Sequence, residues 1–151
     1  MKATDKKAIP NMNQLKKLST YSLVCLVDKE SQTVLFEETV HPHSKLAMYA
    51  FSNKDTLKNK KLELYANQVG LVIATLTTLI PFEHVFSKIM SKPAEKICIE
   101  KKIPYTVTDK TIDLIYSSKN PEKICPLEAL LVDLSSNEAM RYLSGKYNNN
   151  D

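Results

Sequence analysis

The sequence predicts an α/β domain in three layers, a mixed sheet with helices on both faces, and three observations carry that prediction. Residues 21–27 (YSLVCLV) and 33–37 (TVLFE) are strand-like runs on either side of the polar loop DKESQ, the pattern of a β-hairpin. Further on, strand-like runs alternate with helix-start signals, which is the order of parallel βα units. Between these halves lies residues 62–80 (LELYANQVGLVIATLTTLI), a long run with one charged residue. Val69, Val72, Ile73, Leu76 and Ile80 recur in it at helical spacing, so it reads as a central helix covered on several sides.

A chain of 151 residues is one domain, able to bury about two thirds of its unfolded surface without disulfides or metals. The organisation expected is a disordered segment 1–10, a single domain 11–146 and a disordered Asn-rich tail 147–151. The net charge of +4 comes from 21 basic and 17 acidic residues, with Arg141 the sole arginine. The lysines fall in scattered pairs without interleaved aromatics, so no nucleic-acid surface is expected. Cys25, Cys98 and Cys125 are odd in number and far apart, which reads as free thiols in a reducing, cytoplasmic setting. The first ten residues lack a signal-peptide core, and no run is long enough to span a bilayer.

Taken in order, Met12, Leu15 and Leu18 mark a short amphipathic helix. The continuous apolar strand 21–27 is of the kind covered on both faces, with Cys25 a small core residue. His41-Pro42-His43 reads as a surface loop: two histidines alone make no metal site. Residues 44–51 read as a short helix capped by Ser44. Pro81 ends the central helix, and Gly70 falls inside it, where a glycine costs about 1 kcal/mol against Ala and therefore indicates close approach of a neighbour. Residues 83–89 alternate as a strand, with His84 packed or surface-paired rather than catalytic.

Ser91-Lys92-Pro93-Ala94-Glu95 combines a cap, a first-turn proline and an acid, a helix start; that helix carries Cys98 and ends near Lys102. Residues 104–108 form another strand, 111–116 (TIDLIY) suit helix or strand equally, and 117–123 form a loop. Cys125-Pro126-Leu127-Glu128 opens a helix with Cys125 at its positive end. Ser135 to Glu138 is a capping box for the last helix, expected to close at Gly145.

The order of these elements, with VGLVIA at 69–74, Ser91 three before Ala94, and the Ile124-Cys125-Pro126-Leu127-Glu128 element, resembles the uncharacterised-domain family 1893, whose members end in a similar I-C-P-M-E element. The likeness covers about residues 15–143. It implies a cytidine-deaminase-like fold. Zinc deaminases of that grouping place H-A-E or C-A-E at the start of the central helix and P-C-x-x-C at the next, to hold a metal and its activated water. Here the corresponding stretches are 67–74 and 91–94, which offer no ligand, so neither zinc nor another cofactor is expected. The family's lysine after the helix glycine and its Asn-Arg pair are replaced by Leu71 and Ser117-Ser118.

The function read from these features is a non-catalytic binding or regulatory module for an anionic or nucleotide-like small molecule. Its ligand-binding residues are Asn67, Gly70, Ser91, Cys125 and Glu128, at three helix N-termini expected to gather at the carboxyl ends of the strands. Two alternatives stand beside it: a thiol enzyme with Cys125 as nucleophile, for which the sequence places no base, and a protein that homodimerises through an uncovered strand edge or helix face.

Overall fold

The computed structural model describes residues 10–148 of the chain. Five strands form one mixed sheet: β1 (Val24–Asp28), β2 (Thr33–Glu38), β3 (Leu62–Val69), β4 (Phe82–Ser91) and β5 (Tyr105–Ile112), in the order β2-β1-β3-β4-β5. β1 is antiparallel to both β2 and β3, whereas β3, β4 and β5 are mutually parallel. The hairpin, the strands on either side of Ser91 and the mixed pairing follow the sequence expectation.

The helices are α1 (Met12–Lys16), continued as a 3-10 turn Lys17–Ser19, then α2 (Pro42–Leu57), α3 (Leu71–Leu76), α4 (Lys92–Glu100), α5 (Pro126–Leu131) and α6 (Ser136–Tyr147). Leu46 and Phe51 of α2, Ile73 of α3, Cys98 of α4, Leu131 of α5 and Leu143 of α6 all belong to one core cluster with Val24, Leu64 and Val85 of the sheet. On the opposite face the first helical segment brings Leu15 and Leu18 against Cys25, Val27, Tyr65 and Phe86. The helices are therefore spread unevenly: most pack into a thick layer with the larger cluster, and among the described residues the first helical segment alone makes a thin one with the smaller cluster. The connectivity explains this. β2, β3, β4 and β5 run in one direction, and the three crossovers through α2, α3 and α4 all step the same way across the sheet; a uniform right-handed crossover then places all three helices on one side.

The single central helix over 62–80 is not formed. Leu62–Val69 is strand β3, Gly70 is the N-cap of α3 with φ −124° and ψ −158°, and α3 is six residues long. Every residue of β3 is buried, because the strand lies mid-sheet beneath both layers. Leu62, Leu64 and Ala66 face the thick layer, while Tyr65 faces the thin one and stacks on Phe86 at a ring separation of 4.8 Å. The strand alternates, Leu62, Leu64 and Ala66 against Glu63, Tyr65 and Asn67, but both faces are buried, so the alternation does not mark a solvent side and its apolar content merges with that of the following helix.

Three smaller differences bear on the site. Residues 41–43 are not a loop: Pro42 opens α2 at its first turn and His41 caps it in the left-handed region at φ 48°, so that helix begins before Ser44 and runs to Leu57. α6 does not stop at Gly145 but continues through Tyr147, which is buried, so the expected disordered tail 147–151 is corrected at its first residue; residues 149–151 of that tail and 1–9 of the expected segment 1–10 lie outside the described residues. Residues 111–116 divide between the end of β5 and a bridge from Tyr116 to Ile124. Among the described residues no helix is long and apolar enough to cross a membrane.

Candidate functional site

The first turn of α5 points two ways. Inward, Glu128 is 1% exposed and its Oε1 accepts the Leu71 N–H at 2.6 Å, so the carboxylate of one helix caps another. Gly70 makes this contact fit: a Cβ there would lie 2.5 Å from Glu128 Oε1 and 2.6 Å from Ile115 Cδ1. The glycine is thus required by close approach, as its rarity in the sequence suggested, though at a strand-to-helix junction rather than inside a helix. Burial pushes the Glu128 carboxyl above the usual carboxylate range. The Leu71 N–H, the Ser91 hydroxyl and the Ile115 N–H oppose that shift, although Oε2 makes no hydrogen bond of ordinary geometry.

Gly70, Ser91 and Glu128 therefore meet, as expected for helix starts at the carboxyl ends of parallel strands, and the anion beside them is the protein's own. Ser91, fully buried, caps α4 by accepting the Ala94 N–H at 3.3 Å. Asn67 is not part of this group: its Nδ2 donates to the Leu18 carbonyl at 2.9 Å, which ties β3 to the thin layer.

Outward, Cys125, Pro126, Leu127 and Leu130 form one wall of an open cavity of about 440 Å³. The start of α2 supplies His41, His43 and Ser44, the 116–119 segment supplies Tyr116 and Lys119, and α6 supplies Tyr142, Lys146 and Tyr147. Local bonds hold these walls in place. The Gln68 side chain accepts the Tyr116 N–H at 2.8 Å and donates to the Tyr116 carbonyl at 3.3 Å, while its backbone carbonyl lies 3.1 Å from His43 Nε2. A carbonyl only accepts, so Nε2 carries the proton there. Tyr21 donates its hydroxyl hydrogen to the Ser117 carbonyl, and the Ser44 and Tyr147 hydroxyls are 3.0 Å apart.

Charge and burial differ between the floor and the rim. His43, Ser44, Cys125 and Leu127 are half-buried and Tyr147 is buried, whereas His41, Lys119, Tyr142 and Lys146 are exposed. Burial depresses the His43 pKa and raises that of the Cys125 thiol, so at neutral pH the floor is uncharged. The N–H groups of Glu128 and Leu127 pull the thiol the other way, as a helix start should, but desolvation is the larger effect and the Glu128 charge adds to it. The Lys146 ammonium lies 5.6 Å from the Tyr147 ring centroid. Among the described residues no carboxylate lines the cavity, and neither Lys119 nor Lys146 forms an ion pair. Nor do three His, Cys, Asp or Glu side chains among the described residues cluster so as to hold a metal.

Sequence reasoning reached Cys125 and missed the rest of this cavity. Pro42 was a signal available for α2, since proline favours the first helical turn. Tyr142, Lys146 and Tyr147 carry no local signal, because their role arises from α6 packing beside α2.

Fold and cavity define the class: a five-stranded mixed α/β domain with a small-molecule-sized opening beside its thick helical layer. The chain belongs to the family described as a domain of unknown function, DUF1893, which matches residues 13–146. It is similar to the crystal structure of a DUF1893 family protein from Thermotoga maritima, with 20% identity, a TM-score of 0.66, and coverage of 95% of this chain and 100% of the other. At that identity the likeness establishes the fold. No curated protein matches the chain.

Proposed function

We propose that the domain is a non-catalytic binding module for a small anionic molecule, built on a deaminase-like frame without zinc and working in a reducing, cytoplasmic setting. The observation that carries this reading is the cavity of about 440 Å³ whose rim bears Lys119 and Lys146, with no carboxylate lining it among the described residues. Its size falls within the roughly 300–1,000 Å³ of small-ligand sites. The residues at the deaminase zinc positions, Asn67 to Ala74 and Ser91 to Ala94, contain no thiol or imidazole, and Cys25, Cys98 and Cys125 are all free.

One observation favours a thiol enzyme as second reading: Cys125 and two histidines share the cavity. Against it, burial raises the Cys125 thiol pKa, which disfavours the thiolate a nucleophile needs. Isothermal titration with inorganic phosphate, acetate and a panel of organic phosphates and carboxylates tests the proposal. Binding of at least one anion that weakens in Lys119→Ala and Lys146→Ala supports it; no anion binding, or binding indifferent to both lysines, overturns it.

A further inference from the structure

We infer that the ligand of this cavity is a flat, polar ring carrying a short acidic arm, with the ring on the floor and the arm at the rim; this rests on the anion-binding reading above and narrows it. The argument is the separation of charge by depth. The cationic groups, Lys119 and Lys146, lie on the exposed rim, where a phosphate or carboxylate keeps part of its hydration and still gains their attraction. A bare inorganic anion would use only this part of the cavity.

The floor asks for a neutral group, and its chemistry limits which. Leu127 and the Tyr147 ring supply flat apolar surface, as a planar ring requires. The same lining carries polar groups whose hydrogen-bonding capacity exceeds the Ser44–Tyr147 and His43–Gln68 contacts and which a hydrocarbon tail would leave unmet: the Ser44 and Tyr147 hydroxyls, the Cys125 thiol and the second ring nitrogen of His43. A heteroaromatic ring with donors and acceptors on its edge meets both demands, and exposed Tyr142 offers a further face at the mouth. The same chemistry could come from a nucleoside monophosphate or from a heteroaromatic carboxylic acid.

Cys125 gives a readout that needs no activity, since it is half-buried on the floor while Cys25 and Cys98 are buried in the core. Pulsed alkylation of the full chain, mapped by mass spectrometry, is to be run with inorganic phosphate, octanoate, cytidine, cytidine and adenosine monophosphates, and nicotinate. The expected result is that a monophosphate or nicotinate slows Cys125 labelling at a concentration at least tenfold below that needed for phosphate or for cytidine. Lys119→Ala and Lys146→Ala should weaken protection by the ring-and-arm compounds about threefold to tenfold and leave that by cytidine unchanged. Ser44→Ala should act on cytidine and the monophosphates alike. The monophosphates and nicotinate decide between the two sources by which protects at lower concentration. Protection by phosphate or octanoate as strong as by the ring compounds overturns this inference and leaves the anion-binding reading standing; no protection by any compound, with no anion detected calorimetrically, overturns both.

Discussion

The two sides of the first turn of α5 form a natural comparison. On the inner side a buried carboxylate meets the start of α3 in a closed contact; on the outer side a cavity of similar parentage stays open, with two lysines at its edge that form no ion pair among the described residues. Both are gatherings of helix starts and polar groups at the carboxyl ends of parallel strands, the place where α/β sheets hold ligands. What separates them is whether the chain supplies its own counter-charge. Glu128 fills the inner position and makes it structural, whereas no carboxylate among the described residues answers Lys119 and Lys146.

If this division is right, substitutions on the inner side should cost stability and those on the outer side should not. The largest effect is expected from Gly70→Leu, whose side chain would have to displace both Glu128 and Ile115; thermal unfolding monitored by circular dichroism should show no cooperative native transition. A melting curve like the parent's would mean that the Gly70–Glu128 contact is not closed. Glu128→Ala comes next, at about 2–4 kcal/mol, from the unpaired buried Leu71 N–H plus the cavity left behind. For a chain of this size that is a fall in melting temperature of about 5–12 °C.

The Glu128 contact was legible only in part, and the reason is instructive. The CPLE element announced a helix start, and the scarcity of glycine announced a tight spot at Gly70, but nothing local joined positions 57 residues apart. β3 was unreadable for the opposite reason. Glu63, Tyr65 and Asn67 are each buried beneath the thin layer, Glu63 with the Tyr65 hydroxyl at 3.0 Å, so its polar face did not mark solvent and its alternation carried no sign. The hairpin, the Ser91 cap and the Ser135–Glu138 capping box were plain because each is a contact within a few residues.

A pH measurement sharpens the comparison further. Burial raises the Glu128 pKa, so the folded state holds this proton more tightly than the unfolded one. Its contribution to stability is fully present below the ordinary value of 4.5 and is lost as pH rises through the higher folded value. Glu128→Gln should remove that part of the slope in chemical-denaturation midpoints; Glu63, shifted in the same direction by burial, supplies a remainder. His43 has the opposite sign of charge and a depressed pKa, so its contribution is present above its ordinary 6.5 and is lost as pH falls through the lower folded value. His43→Asn should flatten that acid limb. A slope unchanged in both variants would place the titrating groups elsewhere.

On the outer side, Lys119→Ala and Lys146→Ala should each change stability by no more than about 0.5 kcal/mol, since neither ammonium has an ion-pair partner among the described residues. A loss above about 1 kcal/mol would make the rim as structural as the inner contact. The smallest effect concerns the thiols. Cys25 and Cys98 are pushed up to about 12 by burial, while Cys125, raised less and only half-buried, should be alkylated first under native conditions yet more slowly than a free thiol. Faster labelling of Cys25 or Cys98 would contradict the packing of both layers.

The spacing of the contacts around the cavity also orders events in time. All five strands are encoded by Ile112, so a growing chain has the whole sheet and the helices of its three crossovers before α5 and α6 exist. The Ser44–Tyr147 pair spans 103 residues and the Tyr21–Ser117 bond spans 96, the kind of distant closures that folding reaches late. The cavity is therefore assembled on a scaffold already standing, and in a nascent chain it is complete only when α6 docks against α2.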